Sequence, residues 1–201
     1  MTAQQAHPRL ENGDVMTRQE FHRLYSECEE LERVELIEGV VYMPSPIRFE
    51  GHAREQMIAL AWLDAYAARH PDVQCSPPGS VLLDDQNEPE PDAMLFRMSP
   101  DRIDDGYISG APELVVEIAA SSKSRDLHQK KRAYERNGVL EYIVWRTDDG
   151  AIDWFELRDG GYVARTPDGA GVIESREFPG LRLAVRSMLA HDRAAVLAAL
   201  A

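Results

Sequence analysis

Two acidic residues and a pair of lysines in this chain have the types and spacing to do chemistry together. Asp92 follows Pro91 and opens the apolar run AMLF over 93–96. Glu117 sits between Val116 and Ile118 in the apolar run LVVEIA over 114–119. Lys130 and Lys131 come next, in a stretch that reads as the following helix. An ionised carboxylate on an apolar strand is costly unless a partner compensates it. The expectation is that Asp92, Glu117 and one lysine meet at one point and hold a divalent cation. Two carboxylate oxygens from separate strands, a backbone carbonyl and water satisfy the octahedral demand of Mg²⁺, or of Mn²⁺ in its place. Such an ion stabilises charge developing on phosphorus and makes hydroxide available near neutrality. A lysine beside it stabilises the charged transition state further. A structural alternative stays open, in which Glu117 pairs with a lysine for stability alone and Asp92 caps the turn after Pro91.

The elements that must position these groups are legible around them. Strand alternation puts Val115, Glu117 and Ala119 on one face and Leu114, Val116 and Ile118 on the other, and puts Asp92 with Met94 and Phe96. Residues 126–137 read as a helix, with Gly138 where a left-handed C-cap belongs. Residues 140–145 read as the next strand, parallel to 114–119 through that crossover. On the helix, residues 126, 130 and 134 share a face and Lys131 is turned about 100° from Lys130. Lys130 is expected to point back to the Glu117 strand, and Lys131 to solvent or DNA. Lys123, in the preceding polar loop, is the rival to Lys130.

The remainder of the chain supplies a frame. Residues 1–15 read as a flexible arm. Thr17-Arg18-Gln19-Glu20 fits a capping box, with a helix to about 30 and Phe21, Leu24 and Leu31 on its apolar stripe. Residues 33–43 read as a hairpin turning at Glu38-Gly39, with Val34 and Leu36, then Val40 and Tyr42, alternating. Residues 49–70 read as a helix with Met57, Leu60, Ala61 and Leu63 inward and Pro71 beyond its end. A short strand over 79–83 precedes an acidic loop, and 97–112 is a long connection. After 145 the pattern is all-β, with pieces at 152–157, 162–165, 172–174 and 178–183 between turn signals, then a helix from 187 to the end. This order is an α/β (α+β) fold, one domain over 16–201 with a central mixed sheet flanked by helices and extra antiparallel hairpins.

Composition narrows the function. The 201 residues suffice for one well-packed domain. A net charge of −13 opposes loose binding to phosphates but allows a local basic patch. Lys123, Arg125, Lys131 and Arg132 form the candidate nucleic-acid contacts, although charge alone favours a solvated helix face with i,i+4 compensation. Cys28 and Cys75 have no zinc-site spacing, and no disulfide is expected. No apolar run is long enough for a membrane span or a signal-peptide core, so a cytoplasmic protein with no membrane partner is expected.

An ordered set of motifs resembles the Uma2 family (DUF820), a restriction-endonuclease-like group. Glu35-Leu36-Ile37-Glu38-Gly39 resembles its ELIDG hairpin, and His52 its histidine opening the next helix. Pro91-Asp92 resembles its PD, and Leu114-Val115-Val116-Glu117-Ile118 its LVVEV strand. Asp126, Lys130 and Tyr134 fit D-x3-K-x3-Y, Gly138-Val139-Leu140-Glu141-Tyr142 fits GV-x-EY, and Pro179-Gly180-Leu181 fits the late PGL. The family is similar to PD-(D/E)XK nucleases with the lysine moved, since Ala119 stands at its usual place. The resemblance implies a Mg²⁺- or Mn²⁺-dependent endonuclease acting on DNA. Asp92 and Glu117 would be metal ligands, Lys130 catalytic, and Glu35, His52, Asp126 and Tyr134 accessory. A homodimer is compatible with it. The alternative is a catalytically inactive nuclease-fold module for nucleic-acid binding or assembly. The polar loop departs from the family's S-P-S-T, reading Ala120-Ser121-Ser122-Lys123, and Arg146 replaces the family's aspartate.

Overall fold

The computed structural model describes residues 10–28, 33–120 and 122–200. Helix α1 (Arg18–Ser26) starts at Thr17, whose hydroxyl accepts the Glu20 N–H at 3.3 Å, and buries Phe21 and Leu24. It stops short of the expected 30, and Leu31 lies outside the described residues. Strands β1 (Glu35–Ile37) and β2 (Val40–Tyr42) form the expected hairpin. Glu38 and Gly39 both have positive φ, 52° and 76°, the backbone of a two-residue turn whose twist matches the strands. On β2 it is Val41 that is buried, rather than Val40 and Tyr42. The inward side of the hairpin faces α1, where Leu36 and Val41 join Phe21, Leu24 and Val34 in a small core of their own. Leu10 is also buried there, and Gly13 and Asp14 exchange backbone hydrogen bonds with Val41, so 10–15 lie along β2 rather than free of it.

The chain continues through α2 (Arg54–Ala67), β3 (Val73–Ser76), β4 (Val81–Leu82), β5 (Ala93–Arg97), β6 (Ile103–Asp104), β7 (Tyr107–Ser109) and β8 (Leu114–Ala119). The crossover runs without a break through α3 (Lys123–Arg125), a π-helical turn (Asp126–Lys130) and α4 (Lys131–Asn137) to β9 (Glu141–Arg146). Next come β10 (Ala151–Arg158), β11 (Gly161–Arg165), β12 (Val172–Glu174), β13 (Arg182–Ala184), α5 (Val185–Leu189) and α6 (Arg193–Ala198). Six strands make the central sheet in the order β11-β10-β9-β8-β5-β3, with β8 and β9 parallel and every other neighbouring pair antiparallel. The connection over 97–112 contains β6 and β7, which join β4 in a separate three-stranded sheet.

Each face of the central sheet has its own core. Leu95, Leu114, Val116, Ile118 and Ile143 pack against Ile58, Trp62, Leu63 and Tyr66 of α2. Met94, Val115, Tyr142 and Val144 pack against Tyr134 and Val139 on the other side. Helix α2 begins later than expected because Gly51 has φ 84° and Glu50 is extended, which interrupts the helical path. Its buried stripe is shifted as well: Met57 is 56 % exposed, while Trp62 and Tyr66 are buried. Their polar ends explain the choice, since Trp62 donates to the Arg182 carbonyl at 3.0 Å and Tyr66 to the Pro179 carbonyl at 3.1 Å. Gly138, with φ 84°, ends α4, and Val139 N–H returns to the Tyr134 carbonyl at 3.0 Å. The expected last helix breaks into α5 and α6 around His191, whose φ is 57°, and Asp192 caps α6 through the Ala195 N–H. Cys28 and Cys75 are free thiols. Among the described residues no helix is long and apolar enough to cross a membrane.

Candidate active-site cleft

β5 and β8 run antiparallel with Ala93 opposite Val116, a register that sets Asp92 across from Glu117. Asp92 Oδ2 accepts the Ile118 N–H at 2.8 Å, which ties the end of β5 to β8 instead of capping a turn. A cleft of about 490 Å³ opens there. Its walls hold Glu35, Glu50, Glu90, Asp92, Glu117, Asp126 and Asp148 against Arg33, Arg48, Arg125 and Lys130, with His52 beside them. That is an excess of carboxylates in a concave, partly dry site, where charge interactions are strong.

Lys130 reaches this cleft from the π-helical turn, in which Asp126 and Lys130 are both buried. Such turns widen the helix by one residue and recur at functional sites. Lys130 Nζ lies 2.6 Å from Glu35 and 2.9 Å from Glu117. Tyr134 donates its hydroxyl to Glu117 at 2.8 Å. The expected meeting of Glu117 with a lysine is present, but the second acid on that lysine is Glu35, not Asp92. Glu35 also accepts the Glu90 N–H at 2.9 Å, so β1 is fastened directly to the approach to Asp92. Asp126 accepts from the Ser122 hydroxyl at 2.5 Å, and its other oxygen is buried with no partner among the described residues. Lys123 is remote from Glu117 and pairs with Asp149 at 2.5 Å.

The acids divide by environment. Burial raises the Glu117 pKa well above the ordinary carboxylate range. Lys130 opposes that rise, while the charges of Asp126, Asp92 and Glu35 add to it. Burial raises Asp126 too, again with Lys130 opposing. Glu90 is raised by burial although the Tyr25 hydroxyl donates to it at 2.8 Å. Asp92 goes the other way: burial would raise it, but His52, the Ile118 N–H and Lys130 together hold it below its usual value. Lys130 stays protonated, because Glu117, Glu35 and Asp126 outweigh the effect of its burial. One ammonium among several acids keeps its own proton and still leaves Glu117 the hardest of them to ionise.

Asp92 Oδ1 is crowded by donors: Arg33 Nη2 at 2.9 Å, Gln56 Nε2 at 3.0 Å and His52 Nε2 at 3.3 Å. Sequence reasoning missed Arg33, Gln56 and Glu90. Glu90 stands two residues before Asp92, the same-face spacing of an extended chain, and that was the available signal. Among the described residues no group of three or more His, Cys, Asp or Glu side chains is arranged to hold a metal ion, so the metal reading rests on two carboxylates and water. The donors have the right chemistry for Mg²⁺ or Mn²⁺, being hard anionic oxygens in surplus over the local cations.

The basic stretch is dispersed. Arg125 lies over the Tyr42 ring at 4.8 Å and lines the cleft. Lys131 Nζ sits 3.6 Å from the centre of the Phe155 ring, rather than projecting to solvent. Arg132 is bound through two nitrogens to Glu38 at 2.7 and 3.0 Å, and Arg136 pairs with Asp84 at 3.1 Å. The compensating charges come from distant segments, not from i,i+4 neighbours.

A mixed sheet covered by helices on both faces, with this crossover, is a restriction-endonuclease-like α/β fold. The chain belongs to the Uma2 family, described as "Putative restriction endonuclease", whose model matches residues 18–186. That description supports a nuclease function. The fold is similar to the crystal structure of a "putative nuclease belonging to DUF820" from Anabaena variabilis, at 15 % identity and a TM-score of 0.65 over 84 % of this chain and 97 % of that one. No curated protein matches this sequence.

Proposed function

We propose that this protein is an endonuclease that hydrolyses DNA phosphodiester bonds with Mg²⁺ or Mn²⁺, Asp92 and Glu117 holding the ion and Lys130 acting at the phosphate. The observation that carries the reading is the buried Lys130 ammonium between Glu35 and Glu117, across the register from Asp92 in one open cleft. When bound, the ion would supply Lewis-acid stabilisation of charge developing on phosphorus. Lys130 presents a fixed positive charge to the same group, and burial makes that charge strong. Glu35 and Tyr134 hold Lys130 and Glu117 in place through their short contacts. Arg125, over the Tyr42 ring, offers its guanidinium to the backbone of the nucleic acid at the cleft wall.

A second reading, an inactive nuclease-fold module that binds nucleic acid or assembles with it, draws on one observation: Arg33, Gln56 and His52 crowd one oxygen of Asp92. A cleavage assay on single- and double-stranded DNA and on RNA, with Mg²⁺ and with Mn²⁺, separates the two. Cleavage of DNA by the wild type that is lost in Glu117→Ala supports the enzyme. Binding without cleavage under every condition supports the module.

A further inference from the structure

Arg33 stands two residues before β1 with φ 58°, a left-handed backbone that residues other than glycine adopt only at a cost. Strain of this kind persists where the surroundings hold it, and the Arg33 side chain is fastened to Asp92, with Nη2 2.9 Å from Oδ1. A guanidinium carries five N–H donors and normally grips a carboxylate through two parallel bonds. Among the described residues Arg33 makes one, and its Nε is buried with no partner there. Oδ2 accepts the Ile118 N–H at 2.8 Å and Gln56 shares Oδ1, so the carboxylate is divided among several donors. Arg33 is therefore held on Asp92 by charge and not by fit. Its side chain is 27 % exposed to the cleft, which leaves it somewhere to go.

We infer that Arg33 is a resident counter-ion, which stands on Asp92 and gives way when a divalent cation binds. The inference rests on the metal reading above. A hard cation needs a carboxylate oxygen at about 2.0–2.1 Å, and Oδ1 already receives three nitrogens. Of those three groups, only the guanidinium carries a permanent charge, so it is the one that a divalent cation repels. Gln56 is neutral and its contact is not opposed in this way. The displaced guanidinium stays within the cleft, and its planar fork suits an oxyanion such as a phosphodiester oxygen. By linkage, whatever draws Arg33 off Asp92 tightens cation binding, and the cation in turn frees Arg33 for the anion.

The test is a calorimetric Mn²⁺ titration of the full chain, comparing wild type, Arg33→Lys and Arg33→Gln, with Asp92→Asn to identify the heat of this site. Lysine is a shorter, more strongly hydrated competitor, and glutamine carries no charge. Mn²⁺ affinity should rise in the order wild type, Arg33→Lys, Arg33→Gln, the last by about tenfold, as typical coupling between sites allows. In EDTA the same variants should melt in the reverse order, because the buried Asp92 charge loses its partner. If Arg33→Gln fails to fold, tighter binding by Arg33→Lys than by wild type still supports the inference. Equal or weaker binding by the folded variants overturns it and leaves the metal site standing. No Mn²⁺ uptake by wild type or variants overturns the metal reading itself, and the inference with it.

Discussion

Two glutamates are buried on neighbouring parallel strands, Glu117 on β8 and Glu141 on β9, with 3 % and 1 % of their surface exposed. Burial raises the pKa of both. Glu141 is answered by two hydrogen-bond donors, the Ser175 hydroxyl and the Arg176 N–H at 2.9 Å, and then by the charge of Arg165, while Glu156 is the one acid among the main influences that pushes against it. Glu117 is answered by Lys130 and Tyr134 while Asp126, Asp92 and Glu35 all push against it. Glu141 fastens the chain after β12 to the sheet. Glu117 faces a cleft. A buried acid is thus no sign of chemistry in itself. What separates the two is whether separate donors complete the group, or whether several acids share one cation in a space that a ligand can enter.

The widest separation should appear in catalysis. Lys130→Ala is expected to lower the DNA cleavage rate about a hundredfold or more while DNA affinity changes little, because its charge acts chiefly in the transition state. Single-turnover cleavage and a binding titration measure the two quantities. Folded Glu141→Gln should cleave as the wild type does. Normal cleavage by Lys130→Ala combined with loss in Lys123→Ala would move the role to the loop lysine, against the geometry.

Stability should separate the glutamates next, and with opposite sign. Glu141→Gln places an amide against the Ser175 hydroxyl and the Arg176 N–H, and a loss of about 1–3 kcal/mol is expected from an unsatisfied buried group. Glu117→Gln removes one of several crowded negative charges, and Lys130 keeps Glu35, so in EDTA it should be as stable as the wild type or more so. Mn²⁺ should raise the melting temperature of wild type and Glu141→Gln but not of Glu117→Gln. Urea melts with and without Mn²⁺ read all of this, and equal losses in both variants would make Glu117 a structural ion pair like any other.

The smallest effect lies in pH dependence. A carboxyl whose folded pKa is raised above its ordinary 4.5 contributes stability that is present below that value and lost as pH rises through the folded pKa. Glu117→Gln should therefore flatten the fall in stability above 4.5 in EDTA, and Glu141→Gln should flatten it less. Asp92 has the opposite sign, since its folded pKa is lowered: its contribution is present above 3.8 and lost as pH falls through the folded value. Asp92→Asn should alter the slope only in that acid range. Unfolding free energies taken across the pH range would show whether the three slopes divide in this way.

The sequence revealed what is written locally. Glu38-Gly39 and Gly138 mark turns by their chemistry, and the apolar runs around Asp92 and Glu117 mark strands by theirs. Helical phase pointed Lys130 at the Glu117 strand, and it reaches Glu117 even though the π-helical turn widens the helix there. Long-range pairing was less visible. β3, β6 and β7 are short and gain their identity from distant partners. The phase of α2 was set by where Trp62 and Tyr66 find carbonyls more than a hundred residues away. Arg33 carries no periodic signal at all, and its relation to Asp92 exists only in the folded chain. The partners of Lys123, Arg132 and Arg136 were hidden for the same reason.

The small core shared by α1 and the β1–β2 hairpin has a consequence for the cleft. Arg33 and Glu35 ride on that unit, whereas Asp92, Glu117 and Lys130 stand on the two larger cores of the central sheet. The two walls of the cleft thus rest on different cores, and an opening confined to the smaller one would cost only a fraction of the free energy of global unfolding. Such an opening would carry off the guanidinium on Asp92 and one of the acids on Lys130 in a single motion. The charge balance of the site is then set by a local folding equilibrium, and a substitution at Phe21 or Val41, far from any phosphate, would reach the chemistry by shifting it.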